Sequence, residues 1–535
     1  MALGLLLFAT GLGGSSHAGA PLPSSAYWGP GKTTLTCIDV DGDGYGTGPG
    51  CSGPDADDDD PAVNTVATWQ AKYRNLDALL AKRGYAGILR YWFLDYGRGS
   101  DATCAPGPSA VAQAHPCRTW QHIRSAGIRP GDVIMLRAGI TPQKTTFPIS
   151  VSGTAANPIA LIGYPGERFT LDRSGGPDGI SGERISYLIL DGLKISSTND
   201  LGNEVIINYP HHVTIRNMEL AGGYTLLRMF EDTRDVLIEQ NIFHDSLSTE
   251  GIYLGSRGLP GNNVIFQYNI IFNASNRDSG YASFQYNGRI KNLTIQGNIV
   301  YGGEQCFSWL EGVSNSSFRN NVCFNNNRAL LTIHNYPGDQ KSDCTCSTNA
   351  ICPYDQTNNV IENNTLVRPQ YNRWHDLVSG TPFIVNNASH CTLGDLGHNT
   401  WRNNIIYGYG SDILMSYKNS DRVARKYIAT SVFENNLWYL SGESDKVFRI
   451  GEATSFTDYT LTSFAPLAKM FTGNMLANPL FKRYSESNYA APTADNFHLQ
   501  PGSSAVRAGG SFGLTTDIQR LRQTAPPTIG AYAQP

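Results

Sequence analysis

Short runs in which apolar and polar residues alternate recur along most of the chain. Examples are "HVTIRNMEL", "DVLIEQNIF" and "LTIQGNIVY". Alternation with a period of two is typical of a strand with one buried face, and long runs with the 3.6-residue period of a helix are scarce. Turn residues such as Gly and Asn separate the runs. The pattern therefore predicts many short β-strands joined by turns.

Each run carries a polar residue or glycine at the same place in its pattern. These positions are Gly192, Asn217, Asn241, Asn269, Asn298, Asn321, Asn364, Asn404, Asn436 and Asn474. They lie 25, 24, 28, 29, 23, 43, 40, 32 and 38 residues apart, which predicts a β-solenoid with loops inserted into its later rungs. Because stacked rungs bring equivalent residues to about 4.8 Å, we expect an amide ladder whose asparagines also adopt the left-handed backbone of a turn.

The regions that flank the repeat differ from it in composition. The stretch "CRTWQHIRSAGIRPGDVIMLRAGI" predicts a short helix, a turn and a strand, with Trp120 and Ile123 covering an open end of the β-structure. We divide the chain into a signal peptide (1–20), an acidic Asp/Gly-rich segment with a linker (21–84), an N-terminal cap (85–157), the solenoid (158–480) and a C-terminal closing segment (481–535).

Composition and charge exclude some partners. The chain has 535 residues, 16% of them charged, and a formal net charge of −4, so an electrostatic grip on nucleic acid or anionic lipid is not expected. The apolar stretch Leu3–Leu12 is too short to span a bilayer and is followed by Ala18-Gly19-Ala20, which predicts a secretory signal removed near residue 20. We expect a secreted or cell-surface protein, without a membrane span, that is a monomer.

The ten cysteines fit an oxidised, exported protein. Closeness in sequence predicts three disulfides: Cys37 with Cys51, Cys104 with Cys117, and Cys306 with Cys323. The pairing among the other four stays open from sequence: Cys344, Cys346, Cys352 and Cys391.

An acidic segment, "DVDGDGYGTGPGCSGPDADDDDP", precedes the repeat. Asp39, Asp41 and Asp43 alternate before Gly44, so a tight loop can aim three carboxylates at one hard cation. Further oxygens could come from the second half of the segment, at Asp55, Asp57 and Asp58. The segment resembles the aspartate-rich calcium repeats of thrombospondin type 3, and we expect it to bind Ca²⁺ in a structural role. The alternative is a solvated acidic linker.

The repeat and its flanks "NPIALIGYPGE" and "FHLQPGSSAVRAGG" resemble the right-handed parallel β-helix proteins of the pectate-lyase-like superfamily. The resemblance implies an all-β fold, a right-handed single-stranded parallel β-helix with a short N-terminal capping helix. It also implies a carbohydrate partner, but not a reaction, because this scaffold serves lyases, hydrolases, esterases and adhesins.

Reactive groups in such a fold must come from successive rungs. Later in each rung a further strand begins, as in "GIYL", "GYASFQY" and "CFSWLEG", and the residues just before these strands form a column. We expect its carboxylates and nearby cations to be catalytic: Glu250, Asp278, Glu304, Arg277, Arg328 and Tyr253. We expect further residues on these strands to bind substrate: Arg228, Tyr281, Tyr286, Trp309 and His334. The alternative is an ordinary hydrated surface.

Two mechanisms fit this column. In a polysaccharide lyase, Ca²⁺ held by Glu250, Asp278 and Glu304 would neutralise a uronate carboxyl while a base removes the C5 proton. In a glycoside hydrolase, Glu250 would work with Asp278 or Glu304 as a pair of carboxylates. We expect cleavage of an acidic polysaccharide by β-elimination, with the hydrolase or a non-catalytic adhesive protein as alternatives.

Overall fold

The computed structural model describes residues 36–85, 90–198, 202–247, 250–275, 282–310, 312–335, 355–368, 383–387, 395–409, 413–418, 421–442, 444–452, 455–484 and 494–533. The predicted signal peptide, residues 1–20, and Cys344, Cys346, Cys352 and Cys391 lie outside these ranges. Within them almost every strand pairs in parallel with the equivalent strand of the next rung. The predicted all-β parallel β-helix is therefore confirmed.

Each rung contributes strands to three successive faces, which we name sheets A, B and C. Sheet A comprises β1 (Arg90–Leu94), β2 (Asp132–Leu136), β5 (Ile159–Gly163), β8 (Ser186–Asp191), β11 (His211–Arg216), β14 (Arg234–Glu239), the second halves of β16 (Ile252–Gln267) and β18 (Ala282–Gln296), β21 (Val313–Ser314), β22 (Ser317–Arg319), β25 (Val360–Glu362), β28 (Thr400–Arg402), β31 (Val432–Glu434) and β35 (Met470–Thr472). The long strands β16 and β18 run through the bend between sheets C and A.

Sheet B is built of short strands. They are β3 (Gly139–Ile140), β6 (Phe169–Asp172), β9 (Lys194–Ser196), β12 (Glu219–Ala221), β15 (Ile242–His244), β17 (Ile270–Phe272), β19 (Ile299–Tyr301), β23 (Val322–Phe324), β26 (Thr365–Val367), β29 (Ile405–Gly408), β32 (Leu437–Leu440) and β36 (Met475–Leu476).

Sheet C includes the strands before which the column was predicted. Its members are β4 (Phe147–Ile149), β7 (Ile180–Glu183), β10 (Val205–Asn208), β13 (Leu227–Phe230), the first halves of β16 and β18, β20 (Gln305–Leu310), β24 (Leu331–Asn335), β27 (Phe383–Asn387), β30 (Met415–Lys418), β33 (Phe448–Glu452) and the antiparallel β34 (Ser455–Tyr459). The described helices are α1 (Val66–Lys72), α2 (Leu76–Lys82), α3 (Ser109–Ala114), α4 (Trp120–Ala126), α5 (Asp421–Ile428), α6 (Leu461–Phe464) and two 3₁₀ turns, Ala465–Leu467 and Ala494–Phe497.

The turn between sheets A and B contains the amide ladder, but the expected double role of its asparagines is wrong. Asn298 Nδ2 donates to Asn321 Oδ1 at 3.0 Å, and Asn321 Nδ2 donates to Asn364 Oδ1 at 3.1 Å. The residue before each ladder asparagine has the left-handed backbone instead, for example Asn320 with a φ of 53°. The left-handed backbone conformation and the ladder hydrogen bonds thus belong to two adjacent residues and not to the same one.

The first two rungs depart from the ladder. The pairing of Arg216 with Glu239 aligns Met218, not Asn217, with Asn241. Asn217 therefore belongs to the left-handed column, with a φ of 53°, and its side chain donates to Asp191. The ladder begins at Asn241, whose Oδ1 accepts from the backbone N–H of Met218 at 2.9 Å.

The N-terminal end of the sheet stack and part of the outer face of sheet B are covered. The predicted capping helix is α4, in which Trp120 and Ile123 are buried, and Trp120 stacks on Phe147 with ring centroids 4.7 Å apart. On the outer face of sheet B, Phe497 of the C-terminal segment packs against Phe324. The three predicted disulfides are present: Cys37–Cys51, Cys104–Cys117 and Cys306–Cys323.

The acidic segment packs against the β-helix on two sides. Its Ile38 and Val40 join a buried cluster with Ile242 and Ile270 on the outer face of sheet B. The following helices α1 and α2 cover the outer face of sheet A through another buried cluster, in which Trp69 meets Tyr164. Within the described residues the segment is therefore an integral part of the fold and not a linker.

Candidate functional site

Two rows of residues on sheet C alternate along their strands with the core positions, and Gln285, Ser308 and Ser416 in the first of them are buried. The first row, in register from strand to strand, is Arg228, Tyr253, Gln285, Ser308, Thr332, Ile384, Ser416 and Arg449. The second is Gly255, Asn287, Leu310, His334, Asn386 and Lys418. Their alternate neighbours, such as Phe284 and Phe307, are in the core. We name these two rows the sheet C surface.

The structure brings two predicted site residues together at one end of the sheet C surface. Arg228 and Tyr253 are paired across adjacent strands, and the Arg228 guanidinium lies 5.7 Å from the centroid of the Tyr253 ring. The Tyr253 hydroxyl accepts a hydrogen bond from Asn287 Nδ2 at 2.9 Å. A cation, a phenol and an amide thus meet over three rungs, and Tyr253 and Asn287 are buried there.

The predicted carboxylate column is not one column. Ile252 pairs with Phe284 and Ala282 pairs with Gln305, so Glu250 is in register with Gln305 and not with Glu304. Glu304 is fully buried, its Oε1 lies 2.6 Å from Arg328 Nε, and its Oε2 accepts from Asn327 at 2.8 Å. The expected pairing of Glu250 with Glu304 is therefore wrong, because the latter side chain is turned inward and bound to its neighbours.

Two of the rings expected to bind substrate are elsewhere. Tyr286 and Trp309 have no exposed area and belong to the hydrophobic core, because they share the inward phase of Phe284 and Phe307. Arg277, Asp278 and Tyr281 lie outside the described residues. The backbone of His334 pairs with Asn386 in the second row.

Sequence reasoning missed the residue at the far end of that second row. Lys418 ends β30, in register with Asn386, and is exposed at the surface. Partial desolvation of its ammonium, followed by repulsion from Arg449, lowers its pKa. The run "ILMSYK" continues the same alternation as the earlier strands, so extending the row past His334 would have found it.

A second polar centre lies in the acidic segment. One carboxylate oxygen from each of Asp39, Asp41 and Asp43 can be found within 4.8 Å of the others. Asp39 is turned toward the loop backbone and accepts from the N–H groups of Gly42 and Gly44, both at 2.7 Å. Asp41, Asp43 and Asp55 also cap backbone N–H groups, each with its Oδ1.

The remaining oxygens of this centre fit a hard cation. Asp41 Oδ2, Asp43 Oδ2, Asp55 Oδ2 and Asp58 Oδ1 are buried without a hydrogen-bond partner in the structure. Such oxygens cost free energy unless something compensates them, and carboxylates are the ligands that Ca²⁺ prefers. We name these four residues and Asp39 the aspartate centre.

Burial and mutual repulsion perturb the aspartate centre strongly. Burial first, then the charge of Asp43, raises the pKa of Asp41 to about 7. Burial also raises the pKa of Asp55 to about 8, with Asp43, Asp41 and Asp39 contributing repulsion. A bound divalent cation would reverse this and hold the carboxylates ionised.

Asp57, predicted as a ligand, does not belong to the aspartate centre. Its two oxygens accept from Lys82 Nζ, both at 2.8 Å, and its Oδ2 also accepts from the Tyr73 hydroxyl at 2.9 Å. Lys82 and Tyr73 lie within and next to helices α2 and α1. The expectation for Asp57 is therefore wrong, because its carboxylate is already paired in holding the helices to the segment.

A third cluster surrounds His244 at the end of β15. Its Nδ1 lies 2.8 Å from Asp245 Oδ2, its Nε2 lies 3.4 Å from Glu219 Oε1, and Lys194 Nζ donates to the same Glu219 oxygen at 2.6 Å. Burial alone would lower the pKa of His244, but the bonds to Asp245 and Glu219 outweigh it and raise that pKa above its usual value. Folding therefore favours the protonated imidazole.

This cluster predicts a pH-dependent stability. A raised pKa in the folded state means that the contribution of His244 is fully present below its ordinary pKa, near 6.5, and is lost as the pH rises through the raised value. We expect the difference in unfolding free energy between the wild type and His244→Gln to shrink as the pH rises above the ordinary pKa of His. Denaturant unfolding of both proteins at a series of pH values measures it, and a constant difference would show that folding does not shift the pKa of His244.

The comparisons with known proteins concern the fold. No protein-family model and no curated protein matches the chain. An alginate lyase from a Paenibacillus species has a similar structure, with 16% identity over 56% of this chain and 94% of the lyase and a TM-score of 0.40. The lacto-N-biosidase of Eubacterium ramulus gives 10% identity over 65% of this chain and 68% of the enzyme, with a TM-score of 0.39.

A surface adhesin of Streptococcus pneumoniae is similar to the same degree. It shares 14% identity over 63% of this chain and 89% of the adhesin, with a TM-score of 0.40. At these identities and scores the similarities do not bear on the activity of this chain.

Proposed function

We propose that this chain binds an acidic polysaccharide along the sheet C surface and cleaves it by β-elimination. The surface runs over eight strands from Arg228 to Arg449, which at the usual strand spacing is a length of about 33 Å. Gln285, Ser308 and Ser416 are buried along that length, so an extended polymer would make its side-chain contacts mainly near the two ends. The cations Arg228 and Lys418, near its two ends, suit an anionic one.

One observation supports β-elimination as the reaction. Lys418, an exposed lysine with a lowered pKa, lies in the second row of the sheet C surface. A lysine whose pKa is lowered has a larger neutral fraction and can act as a general base. In the proposed step Lys418 Nζ takes the C5 proton of a uronate residue. The electrons of the C5–H bond form the C4–C5 double bond, the C4–O bond breaks, and the departing glycosidic oxygen takes a proton from water.

The other residues of the surface would bind the chain on either side of the reacting sugar. Backbone register places Asn386 one strand and His334 two strands from Lys418. Tyr253 stands five and Arg228 six strands away from Lys418, and they would hold a sugar far from the cleaved bond. Glu250, Arg277, Asp278 and Tyr281 remain predictions for the same surface.

The paired-carboxylate hydrolase is less well supported. Glu304 is committed to Arg328 and Asn327 and has no exposed area, so it cannot reach a glycosidic oxygen or activate a water from this position. Only Glu250 with Asp278 stays as a candidate pair. A non-catalytic binding protein is the remaining alternative.

We further propose that the protein is exported and works as a monomer. The three described disulfides fit an oxidising compartment. No helix in the described part of the chain is long and apolar enough to cross a membrane.

The test is a panel of uronate and neutral polysaccharides incubated with the purified protein. We expect products that absorb at the unsaturated-uronate band, formed from a uronate polymer only. New reducing ends without that absorbance would instead indicate a hydrolase and contradict the proposal. Binding without any product would indicate the adhesive alternative and would contradict it too.

A further inference from the structure

The acidic segment and the two helices after it pack on both sides of one edge of the β-helix. Ile38 and Val40 lie on sheet B against Ile242 and Ile270, while Trp69 in α1 lies over sheet A. The edge between these sheets is the turn that carries Gly163 and Gly192. Both glycines line a cleft whose other wall includes Asp55 and Asp58 of the aspartate centre.

We call the part of residues 36–85 that packs on sheet B and the part that packs on sheet A the two arms. The aspartate centre connects them. Asp39, Asp41 and Asp43 belong to the loop that begins with Ile38, on the sheet B side. Asp55 and Asp58 belong to the loop that leads into α1 and α2, on the sheet A side. The disulfide between Cys37 and Cys51 also ties the first loop to the start of the second.

A chain of charges continues from the aspartate centre into the rungs. Asp58 and Arg83, the residue after α2, line the same cleft. Arg83 donates to Asp191 Oδ2 at 3.1 Å, and Asp191, fully buried, also accepts from Arg216 Nε at 3.1 Å. The carboxylates are therefore coupled to the β-helix through one side chain.

The contact between the segment and sheet B is close. Gly48 has a φ of 121°, and a Cβ placed on it would lie 2.1 Å from Ile242 Cδ1. The first loop is thus packed closely against the surface of β15.

We propose that residues 36–85 act as a clamp that is latched by a divalent cation. The cation, bound between the two loops of the aspartate centre, holds both arms against sheets A and B. When it leaves, the link between the two loops is lost and the arms are held less firmly against the rungs. This inference is independent of the proposed activity, because it concerns how the chain's own N-terminal region is held.

Coupling of this kind is reciprocal: if the cation strengthens docking, docking must strengthen cation binding. Ile242→Ala removes a contact of the arm on sheet B, and Trp69→Ala removes a contact of the arm on sheet A. Neither substitution changes a carboxylate. We expect each to weaken Ca²⁺ binding, measured by calorimetry, by roughly tenfold. Asp59→Asn, which removes an exposed charge beside the aspartate centre, is the matched control and should leave the affinity unchanged.

Limited proteolysis gives a second readout that does not depend on ligand affinity. With Ca²⁺, residues 36–85 should resist cleavage, and with a chelator they should be cut roughly tenfold faster while the rungs stay intact. Ile242→Val, which removes a single methylene, should give a smaller effect in the same direction and guards against misfolding of the alanine variant. Unchanged affinity in Ile242→Ala, or cleavage that does not depend on Ca²⁺, would overturn the proposal.

Discussion

Lys418→Ala is expected to lose about 10² to 10⁴-fold in kcat on the polysaccharide that the protein cleaves, which is the usual contribution of a general base. The residue stands at the end of the second row of the sheet C surface, and its pKa is lowered by desolvation and by Arg449. Removing it takes away the proton acceptor and leaves the polymer-binding surface otherwise intact. Unsaturated product formed per unit time measures the loss.

Two further variants distinguish a role of Lys418 as the base from a role as a positive charge only. Lys418→Arg keeps the positive charge but cannot deprotonate at working pH, so we expect KM to be retained and kcat to fall as in the alanine variant. Lys291→Ala removes an exposed lysine of the sheet A half of β18 and should behave as the wild type. The pH profile of kcat/KM should rise through a pKa below the usual 10.5 of lysine.

If Lys418→Arg retains the wild-type kcat, the residue supplies charge and the base is another group. A wild-type kcat in Lys418→Ala would place the reacting sugar elsewhere on the sheet C surface, with the Arg228 and Tyr253 end as the next position to test. Both results leave the polysaccharide-binding part of the proposal standing.

Asn321→Ala should have the largest effect on stability, about 3 to 5 kcal/mol. The Asn321 amide donates to the Ile295 carbonyl at 3.0 Å and to Asn364 Oδ1 at 3.1 Å. Its Oδ1 accepts from the backbone N–H and the side chain of Asn298, both at 3.0 Å. The alanine variant leaves these groups buried and without their side-chain partner.

Asn474→Ala is the matched control at the end of the same ladder. Asn474 is partly exposed, and no further rung accepts its amide, which donates to the carbonyls of Phe433 and Thr472. We expect a loss of about 1 kcal/mol there. Denaturant unfolding compares the two variants, and equal losses would mean that the ladder contributes through local turn geometry only.

The fold could be predicted because its signals are local and repeated. A period of two identifies strands, and the recurring asparagine identifies the rungs. The one-residue error at Asn217 arose because neighbouring columns both favour Asn, one for its backbone conformation and the other for its amide. Only the pairing of Arg216 with Glu239 separates them.

The candidate site was less predictable, since it depends on which way each side chain points. The alternation in "SFQYN" places Tyr286 in the phase of Phe284, so the sequence held the information that this ring is internal. Glu304 could not be placed in the same way, because it lies in a turn before the strand, where alternation does not apply. Register across rungs, which fixes the neighbours of Lys418, is a long-range property.

The docking of Ile38 on Ile242 has a consequence for the order in which the chain folds. These residues are separated by some two hundred positions in the sequence. Because Ile38 is synthesised first, it cannot dock until strand β15 has been made and folded. The first segment made is therefore among the later ones to reach its final place. Its aspartates are charged and hydrated until they are enclosed. Their charge disfavours association of the undocked segment with incomplete rungs.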